Sequence, residues 1–472
     1  MSAVKYSKRD AMEIGRLDAH DQARLLQKGE ISAVELIDTA ILRIEHLDPT
    51  LNALSHKAYA QARERAAKIT YKHGLTGVPY LLKDGLDYPD MPCRSGSRSK
   101  AATSAGGANH AYGDRLDDLG LIPLGKSNVP EFGLLPTTES LLYGPARNPW
   151  ALDRSSGGSS GGAAVAVASG MVPLAHAADG GGSIRIPASC CGVFGLKPGR
   201  GGNLRARGQH VLEDLLVGDT LLARSVRDAA WAVRALREGV HASVQPTGRR
   251  LRIGVVMGNL SDELPHADVA EAIRKTADLC VGLGHEVETV SLPIDGPAVA
   301  ESFRVIWGYL ANDIVAHCAS AAKGAALEEV LEPWTLELAQ WSRHLKPEQL
   351  AQAFDTLSHA TAGLERFFVH HDLTLSPVVK EPPVPLGYLA PTKPFEALMR
   401  DMFDYVSYTP LHNLTGNPAM SVPLFATAGG LPIGSMFAAA RGGEETLLEL
   451  AHELERARPW AGRWPQHSVV SA

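Results

Sequence analysis

Two serines stand in glycine-rich runs. Ser159 lies in Ser155-Ser-Gly-Gly-Ser-Ser-Gly-Gly162, and Ser183 follows Asp179-Gly-Gly-Gly182. By composition the first run is a flexible linker. It leads straight into Ala163-Ala-Val-Ala-Val-Ala168, a good helix former, so its glycines fall where a loop enters a helix and free N–H groups gather. A rigid turn is therefore expected. In the second run, consecutive glycines let backbone N–H groups converge on one point, as an oxyanion hole requires, which makes Gly180, Gly181 and Gly182 candidates. The following Ile184-Arg-Ile-Pro187 reads as a strand-like segment.

Lys83 ends the apolar run Gly77-Val-Pro-Tyr-Leu-Leu82. A lysine at a strand end ordinarily snorkels to the surface. Burial in an apolar site would instead favour the neutral amine, a usable general base, and the sequence leaves both readings open. His176, seven residues before Ser183, reads as a partly buried structural histidine.

Two motif matches fail on context. Gly157-Gly-Ser-Ser-Gly161 fits a hydrolase nucleophile elbow, but the preceding Asn148–Arg154 is a poor strand, and that mechanism also needs a later acid and histidine. Gly120-Leu-Ile-Pro-Leu-Gly-Lys-Ser127 fits a phosphate-binding loop. Leu121–Leu124 reads as the strand itself, however, Pro123 interrupts the loop, and no helix opens at Asn128-Val-Pro130.

The elements that must carry these residues have α/β texture. Ser32-Ala-Val-Glu35 is a capping box before an amphipathic helix, and Tyr59–Ile69 forms a second. Short apolar runs at Val78–Leu82 and Leu121–Leu124 read as buried strands. From Ser225 a helix to Arg237, a strand Leu251–Met257, a helix near Asp268–Leu283 and a strand His285–Val290 alternate. Ala298–His370 is almost wholly helical, and its Trp307, Trp334 and Trp341 serve equally well as pocket walls or as helix core. Strands return at Leu373–Ser376, Ala419–Pro423 and Ile433–Ala438, before a closing helix Glu444–Ala457. Glu238–Arg250 is the best candidate for a joint between halves.

The 472 residues carry 46 Lys+Arg against 52 Asp+Glu, a formal charge of -6, with no clustered basic stretch. That balance gives no footprint for nucleic acid or anionic lipid. The five cysteines (Cys93, Cys190, Cys191, Cys280 and Cys318) are too irregularly spaced for a disulfide framework and read as buried free thiols. No apolar run reaches the roughly 18 residues of a membrane span, and no secretory signal opens the chain. A cytoplasmic protein without nucleic-acid or membrane partners is expected.

Together, Lys83, the Gly-Gly-Ser-Ser-Gly-Gly run and Gly-Gly-Ser183-Ile-Arg-Ile-Pro resemble the amidase signature family, hydrolases with a serine–cis-serine–lysine triad. The likeness extends to Gly125-Lys-Ser-Asn-Val-Pro-Glu131, Cys191-Gly-Val-Phe-Gly-Leu-Lys-Pro198, Ala223–Asp228 and Asn413-Leu-Thr-Gly-Asn-Pro-Ala-Met-Ser-Val-Pro423, and so covers most of the chain. Within the family, Val172–His176 and Arg185–Ser189 look most like 6-aminohexanoate cyclic dimer hydrolases, with aryl-amide- and urethane-cleaving amidases as neighbours.

The resemblance implies a large mixed twisted β-sheet covered by helices on both faces, in a single domain over 1–472. Its parts would be a helical start (1–70), a catalytic core (71–297), a helical insertion (298–372) and a C-terminal part completing the core (373–472). It implies Ser183 as nucleophile, Ser159 as bridging serine and Lys83 as base. Backbone amides around Gly180–Ser183 would hold the oxyanion, with Asp179 and Arg185 in support, and neither metal nor organic cofactor is called for. The implied partner is a small amide or carbamate, the chain acting as a monomer or homo-oligomer. Two alternatives are the catalytic subunit of a tRNA-dependent amidotransferase and an esterase using Ser159. Pocket walls are sought in Leu134–Thr138, including Leu135, around Trp307 and Trp334, at Pro377-Val378, and in Tyr408–Asn413, including His412. Two departures stand out: Gly180, where the family commonly has a bulkier residue, and Gly199, where it has threonine after proline.

Overall fold

The strand Gly218–Ala223 shows how the protein is layered. Its neighbours Leu221 and Leu222 point to opposite faces and enter two different cores, as do Leu81 and Leu82 in the strand Pro79–Lys83. A sheet buried on both faces explains why these strands are continuous apolar runs. The computed structural model describes residues 6–107, 109–205, 211–237, 248–321 and 326–471.

Five strands form one sheet in the order Leu54–Lys57, Ile122–Ser127, Pro79–Lys83, Leu174–Asp179, Gly218–Ala223. Its middle three are mutually parallel and its two edges antiparallel. Six strands form a second sheet in the order Glu286–Thr289, Arg252–Val255, Leu373–Pro377, Pro432–Ala439, Ala419–Ala426, Gly195–Lys197. Here the first three are parallel and the rest antiparallel. The large mixed sheet expected from the resemblance is thus in two parts. They meet where the Phe194 amide donates to Ala223 O (2.9 Å) and the Ala223 amide returns a bond of 3.3 Å. The ladder stops there because Gly195 onward pairs with Ala419–Ser421 instead.

The expected helices are present. Ser32 and Glu35 close a capping box on Ala33–Leu51, and Ser225 caps Val226–Ala235. The segment read as helical contains Gly296–Ala321, Leu327–Val330, Pro333–Ser342 and Pro347–His370. Its apolar residues share a core with Leu134, Leu135 and Ile186 and with the helices Phe395–Tyr405 and Pro410–Leu414. This packing brings it against the glycine-rich loops.

One element differs from its expectation. Ile184–Pro187 is not strand-like but opens the helix Arg185–Cys191. Pro187 falls in the first turn, where a missing N–H breaks no helical bond. Of the expected joint, residues 238–247 lie outside the described residues. All five cysteines are buried and unpaired. No helix among the described residues is long and apolar enough to cross a membrane.

Candidate active site

Lys83 does not snorkel. It ends its strand 3% exposed, and Nζ donates to Ser159 Oγ at 2.8 Å and to Ala178 O at 3.1 Å. The backbone at Lys83 is fixed as well, since its amide donates to His176 Nδ1 at 3.3 Å. With Nδ1 accepting, the ring proton sits on Nε2, which faces Asp219 Oδ1 at 3.0 Å. His176 is 1% exposed, more deeply buried than expected, and both its nitrogens are engaged.

The Ser159 run is a packed turn. Gly157 has φ +73°, and a Cβ there would lie 2.8 Å from Pro187 Cα, so only glycine fits. Thr138 Oγ1 donates to Gly157 O and accepts from the Gly161 amide, at 3.0 and 3.1 Å. The Gly158–Ser159 peptide is cis. The buried helix Gly161–Ser169 follows. No strand leads directly into Ser159, and its oxygen meets a lysine rather than a histidine, so the elbow-type esterase does not fit. The phosphate-loop match fails too. Lys126 and Ser127 lie in a strand, and Lys126 Nζ is spent on Leu86 O at 2.6 Å.

The Ser183 loop is organised by one carboxylate. Asp179 Oδ1 accepts from the Gly182 amide at 2.7 Å, and Oδ2 accepts from the Ile184 amide at 3.2 Å. Arg185 grips both oxygens, Nε to Oδ2 at 2.8 Å and Nη2 to Oδ1 at 3.0 Å, in a fully buried pair. Gly182 is therefore committed to Asp179 and is corrected as an oxyanion donor. Among the described residues, no partner is seen for the amides of Gly180, Gly181 and Ser183 in this loop.

Two further residues complete the support. Asn413 Nδ2 donates to Asp179 O and Oδ1, and its Oδ1 accepts from Arg185 Nη2 at 2.6 Å. Thr409 Oγ1 donates to Gly181 O at 2.7 Å, and Thr409 O accepts from Arg185 Nη1. Asn413 heads one of the family-like runs, which signalled its place but not its task. Thr409 lies in the Tyr408–Asn413 stretch sought as a pocket wall, but its bond to the Ser183 loop had no signal. Burial works to raise the Asp179 pKa, but Arg185, Lys197 and Asn413 outweigh it and hold the carboxyl well below the usual range. Buried Lys197 is pushed down to about 7 by burial and then by Arg185. At the Gly199 departure, the backbone amide donates to Glu444 Oε1 at 2.9 Å.

Ser183 opens on a cavity of about 20 Å³, walled by Leu134, Leu135, Ile186, Phe303, Trp307 and Met402 among others. Gly133 lines it as well, and a Cβ at Gly133 would lie 3.2 Å from Ser159 Oγ, so Ser159 lies next to this lining residue. Of the expected wall residues, Leu135 and Trp307 are in place. Trp334 stands behind, its indole donating to Leu134 O at 3.4 Å, because Trp307 takes the front position on the same oxygen at 3.1 Å. Val378 is 1% exposed and belongs to the core. His412 faces a separate cavity of about 320 Å³ with Thr374 and Tyr408, because the helix Pro410–Leu414 turns Asn413, not His412, toward Asp179. At Gly180 a Cβ would meet only Val217 at 3.4 Å and the Trp307 ring at 3.8 Å, so this departure leaves a small space beside the indole.

A buried lysine bonded to a serine can move protons, and a loop that carries a second serine and uncommitted amides can hold a developing oxyanion. Comparison with known proteins gives the family. The chain belongs to the amidase family, whose model matches residues 35–448. AmiC of Mycobacterium leprae (strain TN) is 38% identical over 469 residues, covering 95% of this chain and 96% of that one. The solved structure of 6-aminohexanoate cyclic dimer hydrolase complexed with substrate has TM-score 0.87 at 29% identity, covering 96% of this chain and 99% of that one. A bacterial aryl acylamidase of the amidase signature family has TM-score 0.84 at 27% identity, covering 95% and 99%. The chain is a hydrolase of carbon–nitrogen bonds, with the mixed α/β fold these neighbours share.

Proposed function

We propose that the protein hydrolyses small non-peptide amides, cyclic or linear oligoamides and anilides, and carbamates, through an acyl- or carbamoyl-Ser183 intermediate. The observation that carries this reading is the 2.8 Å contact between Lys83 Nζ and Ser159 Oγ, next to Gly133 of the Ser183 cavity. The apolar walls of that cavity and the substrates named for the two structural neighbours support the choice of small amides.

Neutral Lys83 accepts the Ser159 hydroxyl proton while Ser159 accepts that of Ser183, whose Oγ attacks the carbonyl carbon. The oxyanion is held by the amides of Gly180, Gly181 and Ser183, fixed in place by the Asp179–Arg185–Asn413 network. Run in reverse, the relay protonates the leaving nitrogen and the C–N bond breaks. Water, deprotonated by the same relay, then attacks the ester and releases the acid and Ser183.

The test is aniline release from a matched aryl amide and aryl carbamate by wild type, Ser183→Ala and Lys83→Ala. Turnover by wild type and its loss in both variants is expected, and the amide-to-carbamate ratio reads out the preferred class. Full activity in Ser183→Ala overturns the nucleophile. Inertness of wild type, with glutaminase activity in the presence of a co-purifying subunit, overturns the reading in favour of an amidotransferase.

A further inference from the structure

The cavity at Ser183 has room for about one water molecule and no more. No acyl group reaches the Ser183 oxygen unless a wall moves, and most of the walls are held. Trp307 is tied through its indole to Leu134 O, which holds the Leu134 backbone in turn. The nucleophile loop is locked by Asp179 and Thr409.

A side chain can only leave where space exists behind it. Phe303 and Val406 line this cavity and also a second one of about 670 Å³, which carries Arg304, Lys380, Glu396 and Asp404 on its sides. They are the partition between the two spaces. Phe303 lies directly on the nucleophile loop, for a Cβ at Gly181 would sit 2.6 Å from its Cζ. Its ring packs in the apolar core, beside Trp307 at 5.1 Å and Phe403 at 5.7 Å between centroids, and makes no polar contact that would fix it.

We propose that Phe303, with Val406, is the gate through which substrate passes from the outer cavity to Ser183, and that Phe303 sets the size of acyl group admitted. This rests on Ser183 being the nucleophile. When the ring swings outward, the acyl group occupies the space it leaves against Gly181, between Trp307 and Ile186. The leaving group remains in the polar outer cavity. Phe303 is thus a specificity-determining residue, and the admitted acyl groups are uncharged and apolar.

The test measures second-order rates of covalent labelling of Ser183 by two phosphonylating probes, a methyl and a benzyl fluorophosphonate, whose phosphorus bonds to the serine oxygen as fluoride leaves, in wild type, Phe303→Ala and Val406→Ala. The expected result is a benzyl-to-methyl rate ratio raised about tenfold in each variant, the scale at which a pocket discriminates small differences in size. General loosening of the fold raises both rates alike and leaves the ratio unmoved. An unchanged ratio in folded variants that still label at Ser183 overturns the gate and leaves the nucleophile standing. Absence of labelling at Ser183 in wild type overturns both. Val406→Ala opens the partition without touching the helix Gly296–Ala321, so it decides the matter if Phe303→Ala does not fold.

Discussion

His176 accepts a hydrogen bond from the backbone amide of Lys83, at 3.3 Å, and turns its other nitrogen to Asp219. The histidine nearest the candidate site in sequence therefore works on the position of the lysine rather than on a proton of the substrate. His176→Phe removes the acceptor from that buried amide and should lower the unfolding free energy by about 2 kcal/mol. Urea denaturation measures this. Steady-state kinetics should show kcat reduced about tenfold or more with a smaller change in KM, as expected for a displaced general base.

The support of the Ser183 loop ranks its own variants. Asp179→Asn leaves Arg185 as an uncompensated buried charge and should cost about 3–5 kcal/mol. Asn413→Ala breaks hydrogen bonds but keeps the ion pair, and should cost about 1–3 kcal/mol. Denaturation of the two variants gives the order. A larger loss in Asn413→Ala contradicts the view that Asp179 and Arg185 are the centre of the network.

Lys197 makes stability depend on pH. Its folded pKa is pushed down to about 7, below its value in the unfolded chain. Between about pH 7 and 10 the unfolded state holds a proton that the folded state does not, so this group makes stability rise with pH across that window. Lys197→Met should remove a gain of about 2 kcal/mol between pH 7 and 9, seen as the difference in slope between wild type and variant in denaturation at the two pH values.

The three loop glycines differ in what a methyl group would meet. Gly180→Ala finds ordinary contacts beyond 3.4 Å, Gly181→Ala strikes the Phe303 ring, and Gly182→Ala strikes Thr409 Oγ1 at 2.4 Å with φ at +131°. The expected order of damage to thermal stability is Gly182, then Gly181, then Gly180, the last within about 0.5 kcal/mol of wild type. A melting series over the three variants checks it.

If Lys83, Ser159 and Ser183 act as one relay, their losses do not add. Lys83→Ala combined with Ser159→Ala should be no slower than the worse single variant within about threefold, where independent groups would multiply. Residual kcat of the single and double variants decides between these.

Much of this was legible in the sequence. The glycine-rich turn and the capping box at Ser32 are local patterns with local causes and lie where they were expected, whereas for Lys83, at the end of an apolar run, the sequence left surface and burial both open. What was not legible depended on contacts between distant positions. Trp307 and Trp334 looked alike, yet both reach one carbonyl oxygen from different depths, and only Trp307 lines the cavity. Gly182 looked like an oxyanion donor until Asp179, three residues back, was seen to take its amide. Thr409 reaches Gly181 from 228 residues away, and no spacing rule announces such a partner. The strand-like reading of Ile184–Pro187 failed because β-branched residues and a proline fit a helix's first turn as well as a strand.

The carbonyl oxygen of Leu134 offers its two lone pairs to two indoles. A main-chain atom cannot be replaced by point mutation, so drift at position 134 can change the lining of the cavity while the joint beneath it persists. The joint is also redundant, since the loss of one tryptophan leaves the other to hold the oxygen. Such a rivet lets the wall of the cavity be resurfaced while the distance between that wall and Ser183 stays the same.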